Sequence, residues 1–139
     1  MRTKIFDFVI PGEPKGKGRP RFTRSGHPYT PGKTIEYENL VRMAFAEKYS
    51  NAEPLTGEVC VAIMNYFAIP KSATKKKREM MANNEINPTK KPDLDNIAKA
   101  ILDSLNGLAF VDDAQVVWMT IYKSYAVNPH AEVLIYANI

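Results

Sequence analysis

Residues 90–116 read KKPDLDNIAKAILDSLNGLAFVDDAQV. Ile97, Ala98, Ile101, Leu102 and Leu105 recur at the spacing of one helical face, so a helix with a buried stripe is expected after Pro92. Asp93 or Asp95 suits its N-terminal cap, because a short carboxylate accepts hydrogen bonds from the free N–H groups of a first turn. Asn106–Gly107 closes it, since glycine takes the left-handed conformation that ends helices. The chain then returns through GLAFV to Asp112 and Asp113 and enters an apolar run at Val116. A helix, a sharp return and a strand are the grammar of a mixed α/β domain.

The flanking sequence extends that pattern. KIFDFVI (residues 4–10) alternates, with Phe6, Phe8 and Ile10 on one side, and reads as a strand stopped by Pro11 and Gly12. Residues 12–33, GEPKGKGRPRFTRSGHPYTPGK, lack periodicity and form a long loop or hairpin-like excursion. A helix should follow, capped by Thr34, with Ile35, Leu40, Val41, Ala44 and Phe45 on its apolar side and Tyr37 and Tyr49 flanking it. EVCVAIMNYFAI (58–69) is almost continuously apolar and reads as a central strand covered on both faces. SATKKKREMMAN (72–83) reads as a short helix capped by Ser72. VVWMTIY (116–122) and EVLIY (132–136) are two more strands, expected to pair antiparallel across KSYAVNPHA, with Trp118 in the core. Four strands and three helices give one mixed α/β (α+β) domain over residues 1–139, built on a small mixed sheet.

The net charge of +4 conceals a partition. Residues 11–33 carry six Lys and Arg against one Glu, and residues 71–91 carry seven against two acids. From residue 92 onward the balance reverses, to two basic and six acidic groups. Basic stretches of this kind suit a polyanion, because phosphate contacts release counterions. Lys15, Lys17, Arg19, Arg21 and Arg24 in the first stretch, with Phe22 and Tyr29 among them, suit gripping a nucleic-acid backbone and stacking on bases. Lys75, Lys76, Lys77, Lys90 and Lys91 form the second basic group. His27 and His130 read as surface or turn residues. The lone Cys60 lies in an apolar run and reads as a core residue, which excludes an intrachain disulfide and a zinc cluster. No apolar run reaches membrane-spanning length and the N-terminus lacks a leader pattern, so a cytoplasmic protein with no membrane partner is expected.

Against that background, residues 90–116 gather five of the chain's fifteen carboxylates. One reading is a solvated helix in which Asp95, Lys99 and Asp103, four apart, form ion pairs worth about 0.2–0.5 kcal/mol each. It leaves Asp93, Asp112 and Asp113 unexplained. The other is a metal site. If the return brings Asp112 and Asp113 near the helix N-terminus, three or four carboxylates converge and a cation relieves their repulsion. Oxygen ligands alone favour Mg²⁺, with Mn²⁺ as a substitute. Beside a phosphate-seeking surface such a site suits phosphodiester hydrolysis, with Lys99 neutralising charge in the transition state. An EF-hand is excluded by the missing D-x-D-x-D-G loop, and GEPKGKGRP lacks the continuation of a phosphate-binding P-loop.

The block D-x-D-N, Lys99, Asp103 and D-D-x-Q-V resembles the RusA family of Holliday-junction resolvases, known from bacteria and their prophages. The matching positions are Asp93, Asp95, Asn96, Lys99, Asp103, Asp112, Asp113, Gln115 and Val116, and PGEPKGKGRPRFTRSG resembles the N-terminal loop of many relatives. The resemblance implies a RusA-like homodimer that binds four-way DNA junctions and cuts two opposed strands with Mg²⁺ or Mn²⁺. It implies Asp93, Asp95 and Asp113 as essential acids, Asp112 close by, Lys99 as the catalytic lysine, and Asn96 and Asp103 in support. A nuclease for flaps or other branched DNA, and a non-catalytic branched-DNA-binding module, are the competing readings.

Overall fold

The computed structural model describes residues 1–138. In chain order the elements are β1 (Arg2–Pro11), β2 (Arg21–Phe22), β3 (Pro28–Tyr29), α1 (Gly32–Lys48), β4 (Val59–Ala68), α2 (Lys75–Ala82), α3 (Leu94–Leu105), a 3-10 turn (Asp113–Gln115), β5 (Val116–Ala126) and β6 (His130–Asn138). The expected mixed sheet of four strands with three helices is present, with β2 and β3 added as a small separate hairpin. No helix among the described residues is long and apolar enough to cross a membrane.

The strand order is β1-β6-β4-β5. β6 pairs antiparallel with both β1 and β4, while β4 and β5 run parallel. The expected antiparallel pairing of the last two strands is therefore wrong: β4 lies between them. The connection Val127–Pro129 steps across the end of β4, a gap of about 10 Å that three linking residues span easily. The parallel β4–β5 pair needs a crossover, which α2 and α3 supply. β4 does take the central place that its continuous apolar sequence predicts.

The core fills between the sheet and the helices. Phe6, Phe8 and Ile10 of β1, Val61, Ile63 and Phe67 of β4, and Val133 and Ile135 of β6 are buried beside Val41 and Phe45 of α1 and Ile97, Ile101 and Leu105 of α3. Phe45 meets the edges of Phe6 and Phe8, with ring centroids 5.1 and 5.5 Å apart, a geometry aromatic quadrupoles favour. Cys60 is buried, as its setting suggests. The φ of +78° at Gly107 is the left-handed conformation expected at the end of α3, and its N–H donates to the Phe110 carbonyl at 2.7 Å.

Three details depart from expectation. The inward residues of α1 are Thr34, Tyr37, Glu38, Val41 and Phe45, while Ile35 is exposed. Thr34 lies inside that helix, whose cap position is Pro31, and α2 is capped by Thr74 rather than Ser72. Trp118 is not in the core. It is 49% exposed, with Val117, Met119 and Tyr122 also open, because β5 is an edge strand.

At the opposite edge, Asp7 accepts from Lys4 at 2.8 Å and from Lys48. The Lys4 and Lys48 hydrogen bonds lower its pKa from 3.8 to about 2. A carboxyl depressed on folding stabilises the native state above its unfolded pKa, and that contribution is lost as pH falls through the folded value. Asp7→Asn should therefore lower the thermal midpoint at pH 6, and the gap from the parent should shrink between pH 4 and pH 2. Parallel melts across that range check it.

Candidate active site

Because α3 turns Ile97, Ile101 and Leu105 to the sheet, its acidic side faces outward. Asp93 holds the N-cap position, with extended backbone and its carbonyl 3.1 Å from the Ile97 N–H, yet its side chain makes no cap bond. Asp95 lies exposed in the first turn. Neither is committed to holding the fold.

Asp112 is committed. Its carboxylate accepts from the Ala114 N–H at 2.9 Å, and its own N–H donates to Oε1 of Gln115 at 2.9 Å. Nε2 of Gln115 donates to the carbonyls of Leu55 and Gly57, each at 2.9 Å. The turn before β5 is thereby tied to the loop before β4. This gives Gln115 of the D-D-x-Q-V block a role that spacing alone did not reveal.

Asp113 is half-buried, and its pKa is raised. Burial contributes most, followed by the adjoining Asp103 carboxyl and the charge of Asp112, while a hydrogen bond from Asn106 pulls the other way. Asp113 thus sits against the C-terminal half of α3. Asp95 and Asp103 are eight residues apart, about 12 Å along a helix axis. Ligand oxygens at about 2.0–2.6 Å from one ion lie much closer together than that. The expected convergence at the helix N-terminus is corrected accordingly: the acids fall into an exposed pair, Asp93 and Asp95, and a packed pair, Asp103 and Asp113. Among the described residues no three His, Cys, Asp or Glu are arranged to hold a metal ion. The donor chemistry still suits a hard cation, since every candidate ligand is a carboxylate and the crowding at Asp113 is of the kind a cation relieves.

The two lysines beside Asp103 differ in how firmly they are held. Lys99 reaches Asp103 only at 4.0 Å, and its ammonium is largely in solvent. Lys17, expected among the phosphate-binding residues, instead places Nζ 2.8 Å from Glu38 and 3.1 Å from Asp103. Burial lowers the Lys17 pKa, but its hydrogen bonds to these two acids outweigh that and the net shift is upward. Glu38 was not anticipated. Its signal is an acid one turn from Thr34 on the buried side of α1, where a charge needs a partner.

The segment before β2 lies on α3. The Lys17 N–H donates to the Asn96 carbonyl at 2.9 Å, and the Gly18 N–H to Oγ1 of Thr34 at 2.9 Å. Between this segment and the loop before α3 runs a groove of about 1160 Å³. Lys15, Lys17, Arg19, Arg21, Lys33, Lys90 and Lys91 line it, Lys17 with its ammonium held by Glu38 and Asp103, and Asp93 and Asn96 stand in its wall. Lys33 is an addition to the expected basic set. Lys90 is fixed from below, its carbonyl accepting from Nζ of Lys123 at 2.6 Å. Arg24 lies in the turn between β2 and β3, and Lys75, Lys76 and Lys77 lie on α2; all four are exposed and outside the groove lining. Phe22 on β2 is 67% exposed.

Comparison with known proteins matches residues 11–136 to the family model described as Endodeoxyribonuclease RusA. A Bacillus subtilis (strain 168) protein named Uncharacterized protein YqaN is 37% identical over 133 residues, covering 92% of this chain and 93% of its own.

The close approach of loop and helix is testable. A Cβ on Gly16 would lie 2.9 Å from Cβ of Pro92 and 3.0 Å from Cβ of Asn96. Gly16→Ala should destabilise the protein by about 1–3 kcal/mol. Gly32→Ala, where the added atom meets open space, should leave it unchanged or slightly more stable. Urea midpoints of the two variants check the contrast.

Proposed function

Because the chain belongs to the RusA family of endodeoxyribonucleases, we propose that it hydrolyses phosphodiester bonds in branched DNA, above all in four-way Holliday junctions, by paired cuts in two opposed strands. The observation that carries this reading is the basic groove with Asp93 in its wall and the uncommitted Asp95 one turn into α3. Lys15, Arg19, Arg21, Lys33, Lys90 and Lys91 hold the sugar–phosphate backbone by charge, an affinity that falls with salt and carries no sequence preference. Arg24, Lys75, Lys76 and Lys77 widen the contact to neighbouring arms. Lys99, one turn beyond Asp95 and open to solvent, neutralises charge that develops on the phosphate.

Mg²⁺, with Mn²⁺ as a substitute, belongs to this reading: the open pair Asp93 and Asp95 would hold the ion, while Asp113, beside Asp103 further along α3, completes the acidic set and Asp112 stays bound into its turn. When bound, such an ion polarises the phosphoryl oxygen and makes water a nucleophile near neutral pH. A junction has two symmetric scissile strands, so a two-fold dimer supplies one site for each. The open edge of β5, with Val117, Trp118, Met119 and Tyr122 uncovered, supports pairing with a second copy.

The scattered carboxylates favour one competing reading, a branched-DNA-binding module without cleavage. Synthetic four-way junction, flap and duplex, each incubated with Mg²⁺ and with EDTA, separate the possibilities. Symmetric nicks in the junction that vanish in EDTA are expected. Cleavage of flaps alone would shift the substrate, and tight binding without scission in Mg²⁺ or Mn²⁺ would leave only the binding module.

Asp93→Asn and Asp95→Asn should abolish cleavage while junction binding in EDTA is kept or tightened, since each removes repulsion against phosphate. Lys99→Ala should reduce the cleavage rate more than the affinity. Turnover at the parental rate in all three variants would remove the proposed site.

A further inference from the structure

We propose that Lys17 is a positioning residue of the nuclease site, holding Asp103 and through it Asp113, a role that rests on the nuclease reading given above. Three independent observations converge on it. Its ammonium bridges Glu38 of α1 and Asp103 of α3, at 2.8 and 3.1 Å. Its backbone is pinned by the hydrogen bond to Asn96. The glycines on either side admit no side chain, since a Cβ on Gly16 would strike Pro92 and Asn96, and one on Gly18 would lie 2.8 Å from Oγ1 of Thr34.

Glu38 is buried and, among the described residues, has no other cation against it, so Lys17 is held from below and cannot swing out to phosphate without stranding a carboxylate. Asp103 is fixed in turn, and its carboxyl lies against that of Asp113. The basic loop thus enters the site at a defined point. Arg19 and Arg21 line the groove, whereas Lys17 turns its ammonium to Glu38 and Asp103 and ties α1 to α3.

The test compares Lys17→Met, Lys17→Arg, Asp103→Asn and the double variant K17M/D103N in the intact chain. Backbone amide spectra, taken without DNA or divalent metal, read the position of Asp113. Single-turnover cleavage of saturating four-way junction in Mg²⁺ reads the rate, and binding in EDTA reads affinity. In Lys17→Met the Asp113 amide should move while that of Val9, in the remote strand β1, stays. The rate should fall about 10- to 100-fold, as misplaced site groups do, with affinity close to the parent and partial rescue by Lys17→Arg. In the Asp103→Asn background, Lys17→Met should cost nothing further. An unmoved Asp113, additive rate losses, or lost affinity with unchanged saturating turnover would each overturn the proposal. If Lys17→Met does not fold, Glu38→Gln loosens the same lysine, and an unmoved Asp113 there overturns it equally. A parent protein that cleaves nothing would sink the nuclease reading alone, because the spectra still decide whether Lys17 positions Asp113.

Discussion

Burial of one stripe on α3 governs the rest. Ile97, Ile101 and Leu105 have no exposure, and each large aliphatic side chain gains about 1.5–3 kcal/mol on leaving water. That outweighs anything the charges on the other side contribute, at about 0.2–0.5 kcal/mol per helical ion pair. The hydrophobic side therefore chooses the rotation of the helix, and the acids inherit the outward face. Asp93 and Asp95 stand open because the stripe is buried, and the groove exists because the loop carrying Gly16 and Gly18 settles on what remains.

Within the block that carries the family signature, the residues divide into two kinds. Gln115 and Asp112 close a turn and fasten it to the loop before β4. Asp93 sits where a cap is expected and makes no cap bond. A carboxylate that leaves its local hydrogen bond unmade while neighbours make theirs is free for a ligand. Sequence motif and chemical role thus overlap only in part.

Much of this was legible in the residues. The stripe of α3, the alternation of β1 and the unbroken apolar run of β4 each state a period and a degree of burial, and those survive into the fold. Strand partnership was not legible, since β5 and β6 are joined by a short link that serves either a hairpin or a step across β4. Trp118 was misplaced for a related reason: apolar composition does not distinguish a central strand from an uncovered edge. The basic groove was foreshadowed by the charge partition, but the inward turn of Lys17 was not. That turn depends on Glu38, which is distant in sequence and becomes a neighbour only when α1 and α3 pack. Which part of α3 Asp113 meets was not legible, because it depends on how the return after Gly107 folds.

The placement of β6 bears on how the molecule comes into being. It is the last strand among the described residues, yet it sits inside the sheet, bonded along one side to β1 and along the other to β4. On a ribosome, β1 and β4 emerge with no partner between them and the sheet cannot close until β6 follows. Cooperative assembly waits for long-range pairing, which is slow because loop closure comes before reward. The basic loop and the acidic helix are thus present in the nascent chain well before the scaffold that sets them against each other. A protein built this way gains its groove only once β6 has joined the sheet.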